Sequence, residues 1–313
     1  MRFFSYALAF SALLAQSAHA VDARDWLLRL QNAEGRQGFH GTFVYERNGS
    51  FSSHEIWRQV TAGTIQERLL QLDGPPREAL RANGRLQCMN GSLFDQLADG
   101  QVWSPRELDP HQLVQWYAIR TMGDSRVADR AAVVLALTPR DQHRYGFELH
   151  LDRETALPLK SLLLNEKGQP LELFQYIRFE VGTSPEMLRP SEQCLPVRVR
   201  DSRQLAEGAW RSEWLPAGFV LNRIVEQRAS ADSPPVAWLM YGDGLSQFSV
   251  FLEPLRDAQV TDVRSQLGPT VAVSRRMPGA NGDLMVTVVG EIPLGTAERV
   301  ALSMRPGDEG SLQ

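Results

Sequence analysis

Apolar positions set the first prediction. Ala23, Trp26, Leu27, Leu30 and Ala33 recur at the i, i+3, i+4, i+7 spacing of an amphipathic helix, with Asp22 placed to cap it. Beyond Gly35 and Gly38 the period drops to two, and residues 39–45 alternate as a half-buried strand does before Asn48-Gly49-Ser50 turns the chain. Residues 53–60 and 64–72 read as further strands, and Asp73-Gly74-Pro75-Pro76 reads as a turn. Residues 77–81 and 85–89 flank Asn83-Gly84, a strong hairpin pattern. Asp109-Pro110 opens a short helix through Tyr117, with the aspartate as N-cap and the proline at the first helical position. Strands at 131–137, 145–151, 157–164 and 171–181 follow. About nine strands suit a curved, partly closed antiparallel barrel over residues 21–182 with the two helices packed into it.

Residues 183–209 lose the pattern. Pro185, Pro190 and Pro196 with scattered charge and no sustained period predict a linker. A smaller α+β domain is expected over 210–313, with strands near 220–227, 236–241, 248–252, 270–275 and 284–289. Its final helix is expected at 297–304, capped by Thr296. The fold class is thus mainly β, with α+β character in the second part.

The N-terminus adds an address. Arg2, an apolar run over 3–15 and Ala18-His19-Ala20 form a secretory leader, with cleavage expected between Ala20 and Val21. The first cysteine is Cys88, so no lipid-anchoring cysteine stands at the cleavage point. No later stretch offers the roughly 18 consecutive apolar residues of a membrane span. Removing 20 of 313 residues leaves 293, enough for two domains. Loss of Arg2 leaves 32 basic against 37 acidic residues, a balance of −5 that argues against non-specific nucleic-acid binding. In an oxidising compartment, Cys88 and Cys194 invite a disulfide across 106 residues, two buried free thiols being the alternative.

Catalytic patterns fail one by one. His54-Glu55 begins a metalloprotease motif, but Arg58 occupies the second ligand position. Gly244-Leu245-Ser246-Gln247-Phe248 lacks the second glycine of a nucleophile elbow, and Gly123-Asp124-Ser125 lies mid-meander. No phosphate-binding loop, dinucleotide fingerprint or C-x-x-C pair is present, and neither a cofactor nor a metal is implied. Surface recognition remains. Phe43, Tyr45, Trp57, Leu70, Phe147 and Leu149 are candidate liners of a barrel pocket, or simply its core. Trp210, Trp214, Phe219, Trp238 and Tyr241 form an aromatic group in the second part.

Five ordered blocks carry a resemblance. They are Gln71-Leu72-Asp73-Gly74-Pro75-Pro76-Arg77-Glu78, Arg126-Val127-Ala128-Asp129-Arg130, Trp214-Leu215-Pro216-Ala217-Gly218-Phe219, Tyr241-Gly242-Asp243-Gly244-Leu245 and Val289-Gly290-Glu291-Ile292-Pro293. With them the chain closely resembles the MucB/RseB family of periplasmic negative regulators of the envelope-stress sigma factor. The run from Arg140 to Tyr145 is similar to the MucB branch. The resemblance implies a first domain similar to lipoprotein carriers, an unclosed antiparallel β-barrel with helices covering the opening, and a smaller second domain. It also implies a non-enzymatic periplasmic protein that binds the periplasmic segment of a membrane-anchored anti-sigma factor and shields it from site-1 proteolysis. Lipid or lipopolysaccharide is expected to release that grip. Trp214, Phe219, Tyr241, Asp243 and Phe248 are the expected partner contacts. A lipid or lipoprotein carrier built on the same half-barrel is the rival reading.

Overall fold

Helix α1 (Ala23–Glu34) forms where the apolar spacing places it, and the Asp22 side chain accepts from the Arg24 amide. The computed structural model describes residues 22–90, 109–182, 184–197, 202–206, 208–228, 233–255, 261–278 and 282–307; the leader and its Ala20–Val21 junction lie outside them. Strands β1 (Phe39–Arg47), β2 (Ser50–Thr61), β3 (Thr64–Gln71), β4 (Arg77–Ala82) and β5 (Arg85–Asn90) follow as a meander. Asn83 and Gly84 both take positive φ (48° and 75°), the pair of left-handed residues that a tight hairpin turn requires. Helix α2 (Pro110–Trp116) has the expected cap, with Asp109 accepting from the His111 and Gln112 amides. It ends one residue before the expected point.

Tyr117 instead opens β6 (Tyr117–Val127), a strand the hydrophobic pattern did not predict. Most of its middle is exposed because β6 is an edge of the sheet, with a neighbour on one side only. Strands β7 (Arg130–Pro139), β8 (Gly146–Asp152), β9 (Pro158–Leu164) and β10 (Pro170–Val181) complete the meander, and β10 returns to pair with β1. With β11 (Leu195–Pro196) they form an eleven-stranded antiparallel sheet, in the order β11-β5-β4-β3-β2-β1-β10-β9-β8-β7-β6. It stays open between β11 and β6. Trp26, Leu27 and Leu30 of α1 and Leu113 of α2 pack against Leu135, Leu137, Leu149 and Leu151 of β7 and β8. Full burial contributes about 1.5–3 kcal/mol per leucine.

The stretch from 183 to 209 is more structured than its sequence pattern. Residues 185–188 form one 3₁₀ turn, and β11 pairs with β5. Cys88 and Cys194 are joined, with their Cα atoms 5.3 Å apart, which settles the bridge against two free thiols. Beside the bridge, buried Glu78 takes Arg68 Nε at 2.6 Å and the Ser191 amide and hydroxyl. Burial works to raise the Glu78 pKa, but those bonds outweigh it and hold the carboxyl below its ordinary range.

A second sheet has the order β12 (Ser202–Gln204), β14 (Val220–Gln227), β15 (Val236–Gly242), β16 (Gln247–Pro254), β19 (Leu284–Gly290), β18 (Thr270–Met277), β17 (Val263–Leu267). It therefore recruits residues upstream of Trp210. Strand β17 is absent from the sequence expectation, and every one of its side chains is exposed. A two-stranded ribbon pairs β13 (Trp210–Ser212) with β20 (Met304–Pro306). Helix α3 (Leu294–Ser303) starts three residues before the expected helix, with Pro293 at the N-cap. Thr296 lies within its first turn and contacts His143 Nδ1 at 3.2 Å instead of capping. Val300, Ala301 and Met304 join Leu239, Val250, Val273 and Val288 in the second core.

Candidate binding site between the two sheets

Strand β15 is apolar on both faces, while β16 is apolar on its core face and carries Phe251 among polar residues on the other. Leu239 and Tyr241 of β15, with Phe248, Val250 and Leu252 of β16, point into the core beneath α3. Trp238 and Met240 of β15 alternate to the other face, as does Phe251 of β16. There they line a cavity of about 180 Å³. The opposite wall is the large sheet, through Phe147, Leu149, Leu163 and Glu172. A strand apolar on both sides is the mark of a sheet covered twice. The sequence carries that mark in the unbroken apolar run from Val236 to Tyr241, which period-two reading alone passes over.

Three contacts hold the sheets around this cavity. In the first, residues 243–246 of the second sheet's β15–β16 loop dock on the large sheet. Leu245 enters the core formed by Trp26, Leu27, Leu30 and Leu113. Asp243 folds the loop by accepting from the Leu245 and Ser246 amides at 2.9 and 2.7 Å. Its other oxygen takes Arg144 Nη1 at 2.5 Å, both side chains being 0% exposed. Arg144 also reaches Asp141 Oδ2 at 2.9 Å and the Ala217 carbonyl at 2.5 Å. Tyr117 Oη lies 3.3 Å from both Asp243 Oδ2 and Ser246 Oγ. Burial first, and the Asp243 charge second, push the phenol well above its ordinary pKa, so it stays protonated and donates.

In the second contact, Arg47 of β1 pairs with Glu291 at 3.0 Å and bonds the Thr270 hydroxyl. In the third, the His143 ring stands edge-on to Trp214, its centroid 5.0 Å away. Close approach is also demanded at Gly218, where φ is +86° and an added Cβ would collide with the Trp116 indole. Gly218→Ala is expected to cost about 1–3 kcal/mol from backbone strain alone. Thermal denaturation checks this, and an unchanged Tm would mean that Trp116 and the turn both give way freely.

The expected residues divide clearly. Of the six pocket liners, Phe147 and Leu149 border the cavity. Phe43 is fully buried in a separate core, its ring centroid 4.7 Å from that of Phe174 and 5.1 Å from that of His54. Tyr45 reaches the site only through its hydroxyl, which donates to Glu172 at 2.6 Å. Trp57 sits beneath the Arg68 guanidinium, and Leu70 is half-buried on β3; neither borders the cavity.

The expected partner contacts are mostly enclosed. Phe219, Tyr241, Asp243 and Phe248 are buried, so they present no free surface for docking in this arrangement. Phe219 and Tyr241 pack on Phe248 in the second core, and Asp243 belongs to the interdomain latch. Phe248 lies at the cavity edge, and Trp214 is half-buried between His143 and Arg299. The reason is alternation: the neighbours Trp238, Met240 and Phe251 take the outer face.

The fragments of catalytic motifs have structural partners. Burial lowers the His54 pKa to about 4, and its Nε2 lies 2.8 Å from Ser52 Oγ. Ser125 Oγ is 2.7 Å from His150 Nδ1, and Glu148 holds Nε2 at 2.9 Å, but none of the three borders the cavity. Among the described residues no cluster of metal-ligating side chains occurs.

Two family models divide the chain between them. The MucB/RseB N-terminal domain matches residues 22–199, and the MucB/RseB C-terminal domain matches residues 204–305. The chain belongs to the MucB/RseB family. Within that family it is 58% identical, over 98% of both chains, to the sigma factor AlgU regulatory protein MucB of Pseudomonas aeruginosa. It is 30% identical, over 95% of both, to the sigma-E factor regulatory protein RseB of Escherichia coli. Among solved structures, MucB in complex with MucA(peri) matches 92% of this chain and 100% of its own at 57% identity, with a TM-score of 0.78. The crystal structure of MucB, also 57% identical, covers 92% and 99% with a TM-score of 0.71. These MucB/RseB relatives carry the names of regulatory proteins.

Proposed function

We propose that this chain is a periplasmic regulator that binds the periplasmic segment of a membrane-anchored anti-sigma factor and keeps site-1 protease from it. The observation that carries this reading is the match, over nearly the full chain at 57% identity, to a MucB solved with MucA(peri). The leader ending at Ala20 supports the compartment, and the N-terminal family match beginning at residue 22 agrees with a mature chain starting near Val21.

The docking site is the mouth of the interdomain cavity. An amphipathic segment meets Trp238, Met240 and Phe251 on one wall and Phe147 and Leu163 on the other. Trp238→Ala keeps the second core intact and is expected to weaken binding of the anti-sigma periplasmic segment at least tenfold, as loss of an aromatic anchor does. Titration calorimetry of that segment tests it, and unchanged affinity in a folded variant removes the cavity as the docking site. Protease protection of the segment, with and without this protein, tests the shielding itself.

Lipid or lipopolysaccharide releases the segment in this reading, because its acyl chains seek the same apolar walls. By linkage, lipid and segment must weaken each other by the same factor. The apolar lining also supports a second reading, a lipid or lipoprotein carrier. Stoichiometric transfer of lipid between membranes distinguishes it, since a regulator has no need to perform transfer.

A further inference from the structure

Glu172 and Glu291 reach the cavity from opposite sheets, and one guanidinium, that of Arg47, lies near both. Arg47 stands opposite Glu172 in the β1–β10 register, yet it pairs across the interface with Glu291 at 3.0 Å and with Thr270. Glu172 is left with the Tyr45 hydroxyl at 2.6 Å as its neutral donor. With both carboxyls ionised the wall carries two negative charges against one positive, beside the apolar side chains of Phe147 and Leu163.

We propose that Glu172 is a proton-controlled clasp between the two sheets. When its carboxyl is neutral the Arg47–Glu291 pair closes the wall; when it ionises, repulsion from Glu291 and the demand for water favour opening. The other groups facing this pair are Tyr45 and Glu46 from β1, and Tyr145, which lies near both Glu291 and Glu166. From β9 the residue opposite Glu172 is uncharged Leu163. Burial raises the Tyr45 phenol far above its usual range and Tyr145 to about 12, so neither phenol titrates near neutrality.

Burial first, and Glu291 second, push the Glu172 carboxyl from 4.5 up to about 7, against the pull of Tyr45 and Arg47. Opening returns it to water and to the ordinary carboxyl range. The closed form therefore holds the proton more tightly. Opening becomes easier as pH rises from 4.5 to 7, with no further change from this group below or above that window. At tenfold per unit, the opening equilibrium shifts on the order of a hundredfold across it. No particular partner or ligand of the cavity is required.

Hydrogen exchange of the full mature chain measures this opening directly. Leu245 and Ser246 are buried where their loop docks on the large sheet, so separation of the sheets uncovers their amides to exchange. After correction for intrinsic rates, their protection is expected to fall on the order of a hundredfold between pH 4.5 and 8. Protection of Val250, in the second core, serves as the control for folding. Glu172→Gln, permanently neutral, is expected to hold the pH 4.5 protection at both values. Equal wild-type protection at the two pH values overturns the proposal, as does a fall that persists undiminished in Glu172→Gln. If that variant loses Val250 protection, Glu291→Gln decides: removing the repelling charge must shrink the pH effect, and an unchanged effect overturns the clasp.

Discussion

Replacing Arg144 with leucine is expected to lower stability by about 3–5 kcal/mol, because it leaves the Asp243 carboxylate buried without its cation. Both side chains are fully enclosed, and the guanidinium also serves Asp141 and the Ala217 carbonyl. The Phe219 ring centre lies 5.0 Å from it, so the variant also loses a cation–aromatic contact. Asp243 holds the loop that delivers Leu245 into the helix-lined core. The expected damage is therefore to the coupling of the two sheets. Urea unfolding followed by fluorescence should split into two transitions in Arg144→Leu. The double variant Arg144→Leu/Asp243→Asn should recover much of the loss, since it removes the stranded charge while keeping an acceptor for the Leu245 and Ser246 amides. A single variant as stable as the parent would mean that water reaches Asp243 and that the latch is not sealed.

Substituting both Cys88 and Cys194 by serine is expected to cost about 4–5 kcal/mol, the chain-entropy value for a crosslink closing 106 residues. The bridge ties the segment after β10 back to β5 across most of the first domain's strands. With the bridge gone, the two-residue β11 pairing and the Glu78–Ser191 bonds remain to hold that segment. Denaturant midpoints at constant slope measure the loss. A difference below about 1 kcal/mol would mean that the unfolded chain is already compact, or that the local bonds suffice alone.

Much of this architecture is legible locally. α1 is written in the spacing of Trp26, Leu27 and Leu30, α2 in Asp109-Pro110, and the first hairpins in their turn residues. Each depends on contacts a few residues apart, where side-chain period and backbone preference agree. Strands β6 and β17 are not legible, because an edge strand buries too little to impose alternation; Thr121 to Asp124 and all of β17 face water. The capping role expected of Thr296 fails for a related reason, since His143 from the other domain claims its hydroxyl.

The site is legible only in part. The Tyr241–Leu245 and Arg140–Tyr145 blocks mark the family, and structurally they are the two halves of the latch. Neither their pairing nor the direction in which aromatic residues point can be read from the chain. By itself the sequence determined the β-rich first half, the family, and two cysteines suited to a bridge. Only the tertiary structure decided that Asp243 and Tyr241 are buried while Trp238 and Phe251 line the cavity. A strand's alternation gives two faces but does not say which one a second sheet will cover. That choice is made where residues far apart in the chain, such as Arg144 and Asp243 or Arg47 and Glu291, close on each other.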